Sequence, residues 1–312
     1  MLRKYCLVLL FAFSTSLFAA EDVPYLLTAA SKGDLVTVKA MLESGASPNI
    51  KDADGITALM YAARKDKFDV VKLLLQKGAD PNVVDNGGWT ALMFASKKNY
   101  VQTVTALLDG NADPKIRDSA GWSALGMAAT SGYNQVVDLL VKHGVSANAK
   151  SDDGKTILMY AAKNGDLPTI TTLLDNGADL TARDRFGLTA LMYAAREGNT
   201  DAVNLMIEHG AKVSDMDNSK WTALTWSVKK NKVPTTATLL SKGSEVNHRD
   251  SEGTPMLQYA VVSGSVEMVK LLLDSGADAK VKDQYSLTAL VYALKGGNPE
   301  IIKLIKDAGG SY

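Results

Sequence analysis

One short segment returns every 33 residues, and that period constrains the chain more than any other feature. Thr57-Ala58-Leu59-Met60-Tyr61-Ala62-Ala63 recurs as Thr90-Ala91-Leu92-Met93-Phe94-Ala95-Ser96, as Ser123-Ala124-Leu125 and as Thr156-Ile157-Leu158-Met159-Tyr160-Ala161-Ala162. It continues as Thr189-Ala190-Leu191-Met192-Tyr193-Ala194-Ala195, Thr222-Ala223-Leu224, Pro255-Met256-Leu257 and Thr288-Ala289-Leu290, while Pro24 fills the slot in a degenerate first copy. Nine copies follow one another with no insertion. A period of this length means that each copy is one supersecondary unit, too small to bury its own apolar face, which completes its core on its neighbours. The period therefore sets the organisation, although 312 residues would by length suggest about two domains. Residues 21–312 are expected to form one domain of nine repeats, the first and last acting as caps.

The composition of each copy explains how it folds. Thr57 and its equivalents precede a helix as N-caps, their hydroxyls free to accept from an orphan backbone N–H. Ala62-Ala63 and their equivalents are small and let helices approach closely. Gly132, Gly165, Gly198 and Gly264 supply a left-handed residue that ends this first helix, and Asp66, Asn99 and Asn231 take the same slot. Val70, Val71, Leu73, Leu74 and Leu75 have helical spacing and predict a second helix. Pro168 and Pro234 fall in its first turn, where proline is tolerated. Leu73-Leu74-Leu75-Gln76-Lys77-Gly78-Ala79-Asp80 closes the copy and is echoed at Leu107, Leu173 and Leu271.

These fixed slots resemble the ankyrin repeat, over residues 24–312. The resemblance implies an all-α solenoid of nine stacked helix-turn-helix repeats with β-turn fingers and one concave face. The family's Thr-Pro-Leu-His stands here mostly as Thr-Ala-Leu-Met. Met60, Met93, Met159 and Met192 thus replace a histidine that helps to bond the turns, and that bond is expected to be lost.

The first twenty residues read differently. Met1-Leu2-Arg3-Lys4 is basic, Tyr5 to Phe13 is apolar, Ala19-Ala20 is small, and Glu21-Asp22 follows. This is the pattern of a signal peptide, 1–20, cleaved near Ala20. The apolar stretch is shorter than the roughly twenty residues that span a bilayer. The short basic region is of a bacterial kind, so the expected location is the periplasm, with secretion as the alternative. Cys6 is the only cysteine, which excludes intramolecular disulfides and multi-cysteine zinc sites.

Little in the chain points to catalysis. Asp52, Asp85, Asp118, Asp184, Asp217, Asp250 and Asp283 recur in step with the repeat, which marks them as turn residues bonding their own backbone rather than a carboxylate array. His143 and His209 lie two repeats apart, roughly 20 Å at ordinary helix spacing, and His248 lies in a turn. The methionines, including Met41, Met127, Met206 and Met268, sit at core spacing. No phosphate loop, nucleophile elbow or zincin motif occurs. The chain reads as non-enzymatic, with no cofactor and no metal. Lys+Arg and Asp+Glu are both 34, and this balance argues against nucleic acid as a partner.

The resemblance also implies where a partner binds: the residues after the Ala-Ala pair and those at the finger tips. Ten of the eighteen residues in the post-helix slots are basic and one is acidic. Arg64, Lys65, Lys97, Lys98, Lys163, Arg196, Lys229 and Lys230 are the candidates there. Trp89, Trp122, Trp221 and Phe186 are the candidates at the tips, with Tyr285 in a neighbouring slot, all expected as exposed anchors. A competing role for both slots is to shield helix ends. The functional expectation is a monomeric scaffold that binds an acidic protein surface through the concave face of repeats two to seven. Bacterial exported proteins of this kind imply protection or regulation of an envelope enzyme; the alternative is a secreted effector that binds a host protein.

Overall fold

A computed structural model describes residues 22–312. The expected signal segment, Cys6 included, lies outside the described residues. The chain divides into two compact units, the first ending at Val145 and the second running from Ser146 to Tyr312. The first unit holds α1 (Asp22–Lys32), α2 (Leu35–Glu43), α3 (Ala58–Arg64), α4 (Phe68–Gln76), α5 (Ala91–Ser96), α6 (Val101–Asp109), α7 (Ala124–Thr130) and α8 (Asn134–Lys142). The second holds α9 (Ile157–Asn164), α10 (Leu167–Asp175), α11 (Ala190–Glu197), α12 (Thr200–Glu208) and α13 (Ala223–Lys229). It continues with α14 (Val233–Ser241), α15 (Met256–Ser263), α16 (Val266–Asp274), α17 (Ala289–Gly296) and α18 (Pro299–Asp307).

Within each unit the helices form two layers. In the first unit α1, α3, α5 and α7 stack side by side, as do α2, α4, α6 and α8. In the second unit the odd helices α9 to α17 and the even helices α10 to α18 stack in the same way. The reason is visible in single slots. Leu74, Leu107, Leu140, Leu173, Met206, Leu239, Leu272 and Ile305 are spaced by one period and each has 0% of its surface exposed. A side chain of that size buried completely contributes about 1.5–3 kcal/mol of transfer free energy, so within each unit a layer is held by the one beside it.

The helix ends follow the sequence. The hydroxyls of Thr57, Thr90, Ser123, Thr156, Thr189 and Thr222 accept from the backbone N–H three residues on. Thr288 departs from the rule, because its hydroxyl donates to the Ser311 carbonyl near the chain end. Asp66, Asn99 and Asn231 do take the left-handed conformation of the equivalent glycines, with φ of 53°, 59° and 53°. The methionines in the histidine slot make a local bond instead. The Sδ atoms of Met60, Met159 and Met192 accept from the N–H groups of Thr57, Thr156 and Thr189 at 3.5, 3.3 and 3.5 Å. Sulfur is a weak acceptor, and each of these bonds stays within one repeat. Met127, Met206 and Met268 are buried, whereas Met41 is only half-buried.

Consecutive repeats are also joined by an asparagine that sequence reasoning passes over. Asn49, Asn82, Asn148 and Asn247 share one slot. Each donates through Nδ2 to the glycine or asparagine carbonyl that ends the next repeat, at 3.0–3.2 Å. Each also accepts through Oδ1 from the N–H of Asp80, Asp113, Asp179 or Asp278, at 2.6–2.9 Å. One amide therefore closes two bonds across 29 and 31 residues of chain. Asn247→Ala removes both, and at about 0.5–1.5 kcal/mol per bond it is expected to lower the urea midpoint by the equivalent of ~1–3 kcal/mol. An unchanged midpoint would show that water replaces the staple without cost.

Candidate functional site

The fingers that precede each first helix are built around the periodic aspartates. In the second unit Asp184 Oδ1 accepts from the Phe186 and Leu188 N–H groups, both at 2.9 Å. Asp217 accepts in the same way from Ser219 and Trp221, at 2.8 and 2.9 Å. In the first unit Asp52, Asp85 and Asp118 repeat the pattern. This is the turn role that the periodicity implies. The second carboxylate oxygen adds something further. Asp52, Asp184 and Asp283 accept from the hydroxyls of Tyr61, Tyr193 and Tyr292 at 2.9, 2.7 and 2.6 Å. Asp250 accepts from Tyr259, and Asp217 accepts from Trp226 Nε1 at 3.0 Å. A single side chain thus ties the finger to the first helix of its own repeat.

Together with Phe94 and with Tyr160, whose hydroxyl donates to Ser151 Oγ at 3.5 Å, these aromatic residues occupy one slot of the repeat: Tyr61 and Phe94 in the first unit, and Tyr160, Tyr193, Trp226, Tyr259 and Tyr292 in the second. They were not among the sequence candidates. The signal was present, since they share one slot of the repeat four residues after the N-cap. Three residues further on stand Arg64, Lys97, Lys163, Arg196 and Lys229, one helical turn away on the same face. The two slots meet. Arg64 lies over the Phe94 ring at 5.9 Å, Arg196 over Trp226 at 5.4 Å and over Tyr193 at 5.6 Å, and Lys229 over Tyr259 at 4.4 Å. Met127 offers no ring beyond Lys97, which instead lies over Trp89 at 4.7 Å. Such contacts are worth roughly 0.5–1 kcal/mol when exposed.

The predicted site residues divide between the units. Arg64, Lys65, Trp89, Lys97, Lys98 and Trp122 belong to the first, and Lys163, Phe186, Arg196, Trp221, Lys229 and Lys230 to the second. The lysines and Arg64 are exposed, and Arg196 is half-buried. Among the described residues, no carboxylate lies within ion-pair distance of Arg64, Lys65, Lys97, Lys98, Lys163, Lys229 or Lys230. Only Arg196 among the candidates has one, its Nε donating to Glu197 at 3.2 Å. The expectation of exposed indole anchors is corrected. Trp89, Trp122 and Trp221 are half-buried. Trp89 packs on Phe94 at 5.0 Å between ring centroids, and Trp221 packs edge-on against Trp226 at 4.7 Å and Tyr259 at 5.4 Å. Trp122 lies over Gly126, where a Cβ would stand 3.0 Å from the indole. The aromatic neighbour in the first helix, or the space left by Gly126 in the slot that holds methionine elsewhere, draws each indole inward. Phe186 and Tyr285 stay exposed, at 53% and 70%.

No group of three or more His, Cys, Asp or Glu side chains that could hold a metal occurs among the described residues. No described helix is long and apolar enough to cross a membrane. His143, His209 and His248 each bond a backbone carbonyl through a ring nitrogen.

Stacked helix pairs, finger turns and a face of aromatic and basic residues define a repeat protein built for macromolecular contact. The family model of ankyrin repeats (3 copies) matches residues 26–118, 103–184, 182–250 and 232–311. The chain belongs to the ankyrin-repeat family, whose repeats typically serve as protein-interaction domains. A search of curated proteins finds no match to it.

The Asp–Tyr bonds leave a mark on titration. Burial first, and then the bond to Asp184 or Asp250, hold the phenols of Tyr193 and Tyr259 above their ordinary value of 10.0. At Asp283 burial opposes ionisation, but the bonds from Tyr292 and from the Leu287 and Tyr285 N–H groups outweigh it and hold the carboxyl low. A phenol raised in the folded state stabilises fully below its unfolded value and is lost as pH rises through the folded one. The stabilisation from Tyr193 and Tyr259 is therefore complete below pH 10 and disappears at higher pH. Phenolate absorbance should show these two tyrosines ionising together with loss of helical circular dichroism. Ionisation near pH 10 with the helices intact would contradict the bonds.

Proposed function

We propose that the chain is a non-enzymatic recognition scaffold that binds a protein partner with an acidic surface. The observation that carries this reading is the set of basic residues at the ends of the first helices in each unit, seven of which have no carboxylate partner among the described residues. A cation at a helix C-terminus complements the helix dipole, worth about 0.3–1 kcal/mol, which explains one charge per repeat. It does not explain the pairs Arg64-Lys65, Lys97-Lys98 and Lys229-Lys230. Zero net charge over the whole chain makes this face a segregated feature, of the kind that raises association rates with an oppositely charged partner. The family supports a protein rather than a small molecule as that partner.

The proposed location is the periplasm, on the strength of the basic, apolar and small residues in 1–20. There the scaffold protects or regulates an envelope enzyme, as the resemblance to exported bacterial members suggests. Cell fractionation tests the location: protein recovered in the culture medium or in host cells contradicts it. For the surface, Arg64, Lys65, Lys97 and Lys98 are reversed together to Glu and the protein is used to capture partners from envelope extract. Capture at low salt should be lost in the variant and should weaken with added salt in the unaltered protein. Equal capture by both proteins counts against charge as the means of recognition.

A further inference from the structure

One cavity opens on the basic and aromatic face of the second unit. It measures about 410 Å³, and its walls include Tyr160, Phe186, Tyr193 and Trp226, with Lys163 and Arg196 beside them. Its origin lies in the sequence of two fingers. The slot filled by an indole at Trp89, Trp122 and Trp221 holds Lys155 and Leu188 here, so the space that those indoles cover in other repeats is open. The finger below it is also rebuilt. Ser151 stands where aspartate recurs, and it donates to Asp153 Oδ1 at 2.5 Å. Asp153 in turn accepts from Lys155 Nζ.

Arg196 is the pre-organised group in this cavity. Its guanidinium lies within cation–π distance of both Tyr193 and Trp226. Its Nε is satisfied by Glu197. Its two Nη groups have no hydrogen-bond partner among the described residues. A guanidinium held between two rings with a free pair of Nη groups matches a carboxylate in bidentate geometry. The surrounding charges favour that occupant. Lys155, Lys163 and Arg196 line the cavity beside one carboxylate, Asp217; Lys155 is paired with Asp153 and Arg196 Nε with Glu197, which leaves Lys163 and the Arg196 Nη pair as the unpaired positive groups. Asp217 is already engaged by the Ser219 and Trp221 N–H groups and by Trp226 Nε1.

Resting on the reading of an acidic partner, we propose that this cavity receives an acidic peptide segment of that partner. A Glu or Asp carboxylate sits on the Nη pair of Arg196, with Lys163 adding charge, and an adjacent apolar side chain lies against Phe186 and Tyr160. The size suits one or two side chains rather than a folded element, since complete ligand pockets span about 300–1,000 Å³.

The test uses the full chain and a fluorescein-labelled peptide of alternating Glu and Leu, followed by anisotropy. A matched peptide with Gln in place of Glu is the control. The Glu peptide is expected to bind, the Gln peptide to bind at least about tenfold more weakly, and R196Q to lose about tenfold or more, the usual size of a lost charge-assisted bond. R196K should recover only part, because ammonium lacks the planar pair of donors. F186A should weaken binding without moving the thermal midpoint, since Phe186 is mostly exposed. Three results overturn the proposal: no binding of the Glu peptide, equal binding of the Gln peptide, or a loss in R196Q no greater than that in K270E, which alters an exposed lysine of α16. Circular dichroism of R196Q confirms that the fold is intact. If the first-unit reversal abolishes capture from envelope extract while R196Q binds peptide normally, the acidic partner stands and the cavity is wrong. If neither variant has an effect, both readings fall.

Discussion

The finger aspartate is the interaction on which the rest of the structure depends. One carboxylate oxygen closes the turn on two backbone N–H groups, and in five repeats the other holds a tyrosine or tryptophan of the following helix. Asp184, Asp217 and Asp250 are themselves buried. A buried carboxylate is tolerated only when its oxygens are bonded, and here the bonds are what give the finger its direction. The framework and the exposed face are therefore one construction. The side chain that shapes the turn also orients the ring beside the basic residues.

This arrangement explains why the face alternates aromatic and basic residues. The aromatic must stand four residues after the N-cap to reach the aspartate. A residue three positions later lies one turn along the same side of the helix. A cation there complements the helix end and reaches the ring of the next repeat, as Arg64, Arg196 and Lys229 do. Where the ring is missing, at Met127, the lysine below turns to a finger indole. Where the aspartate is missing, at Ser151, the finger recruits Lys155 and a cavity opens.

Much of this was legible in the sequence. Period, caps, left-handed glycines and the core leucines are local or strictly repeated features, and apart from the cap at Thr288 each appears where the 33-residue spacing puts it. The turn role of the aspartates was legible too. Their second bond was not, because it joins residues nine apart and its donor slot holds Tyr or Trp in some repeats but Phe or Met, which cannot donate, in others. The asparagine staples were missed for a related reason: four copies of nine carry them, too few to stand out against substituted slots. The basic residues of the face were placed by the repeat alone. The exposure of the indoles was misjudged because a large residue before the N-cap reads as a finger tip, and only packing reveals that Phe94, Gly126 and Trp226 draw it in.

The claim that finger and first helix form one mechanical unit is tested most directly by native-state amide hydrogen exchange. The Trp89, Leu188 and Trp221 amides, which donate to finger aspartates, should exchange about as slowly as those of Phe94, Tyr193 and Trp226, which donate to the N-cap carbonyls of the adjoining helices. Exchange of these amides at the fast rate of an open surface turn, while the helices stay protected, would show that the fingers move freely and that the aspartates do not set the face.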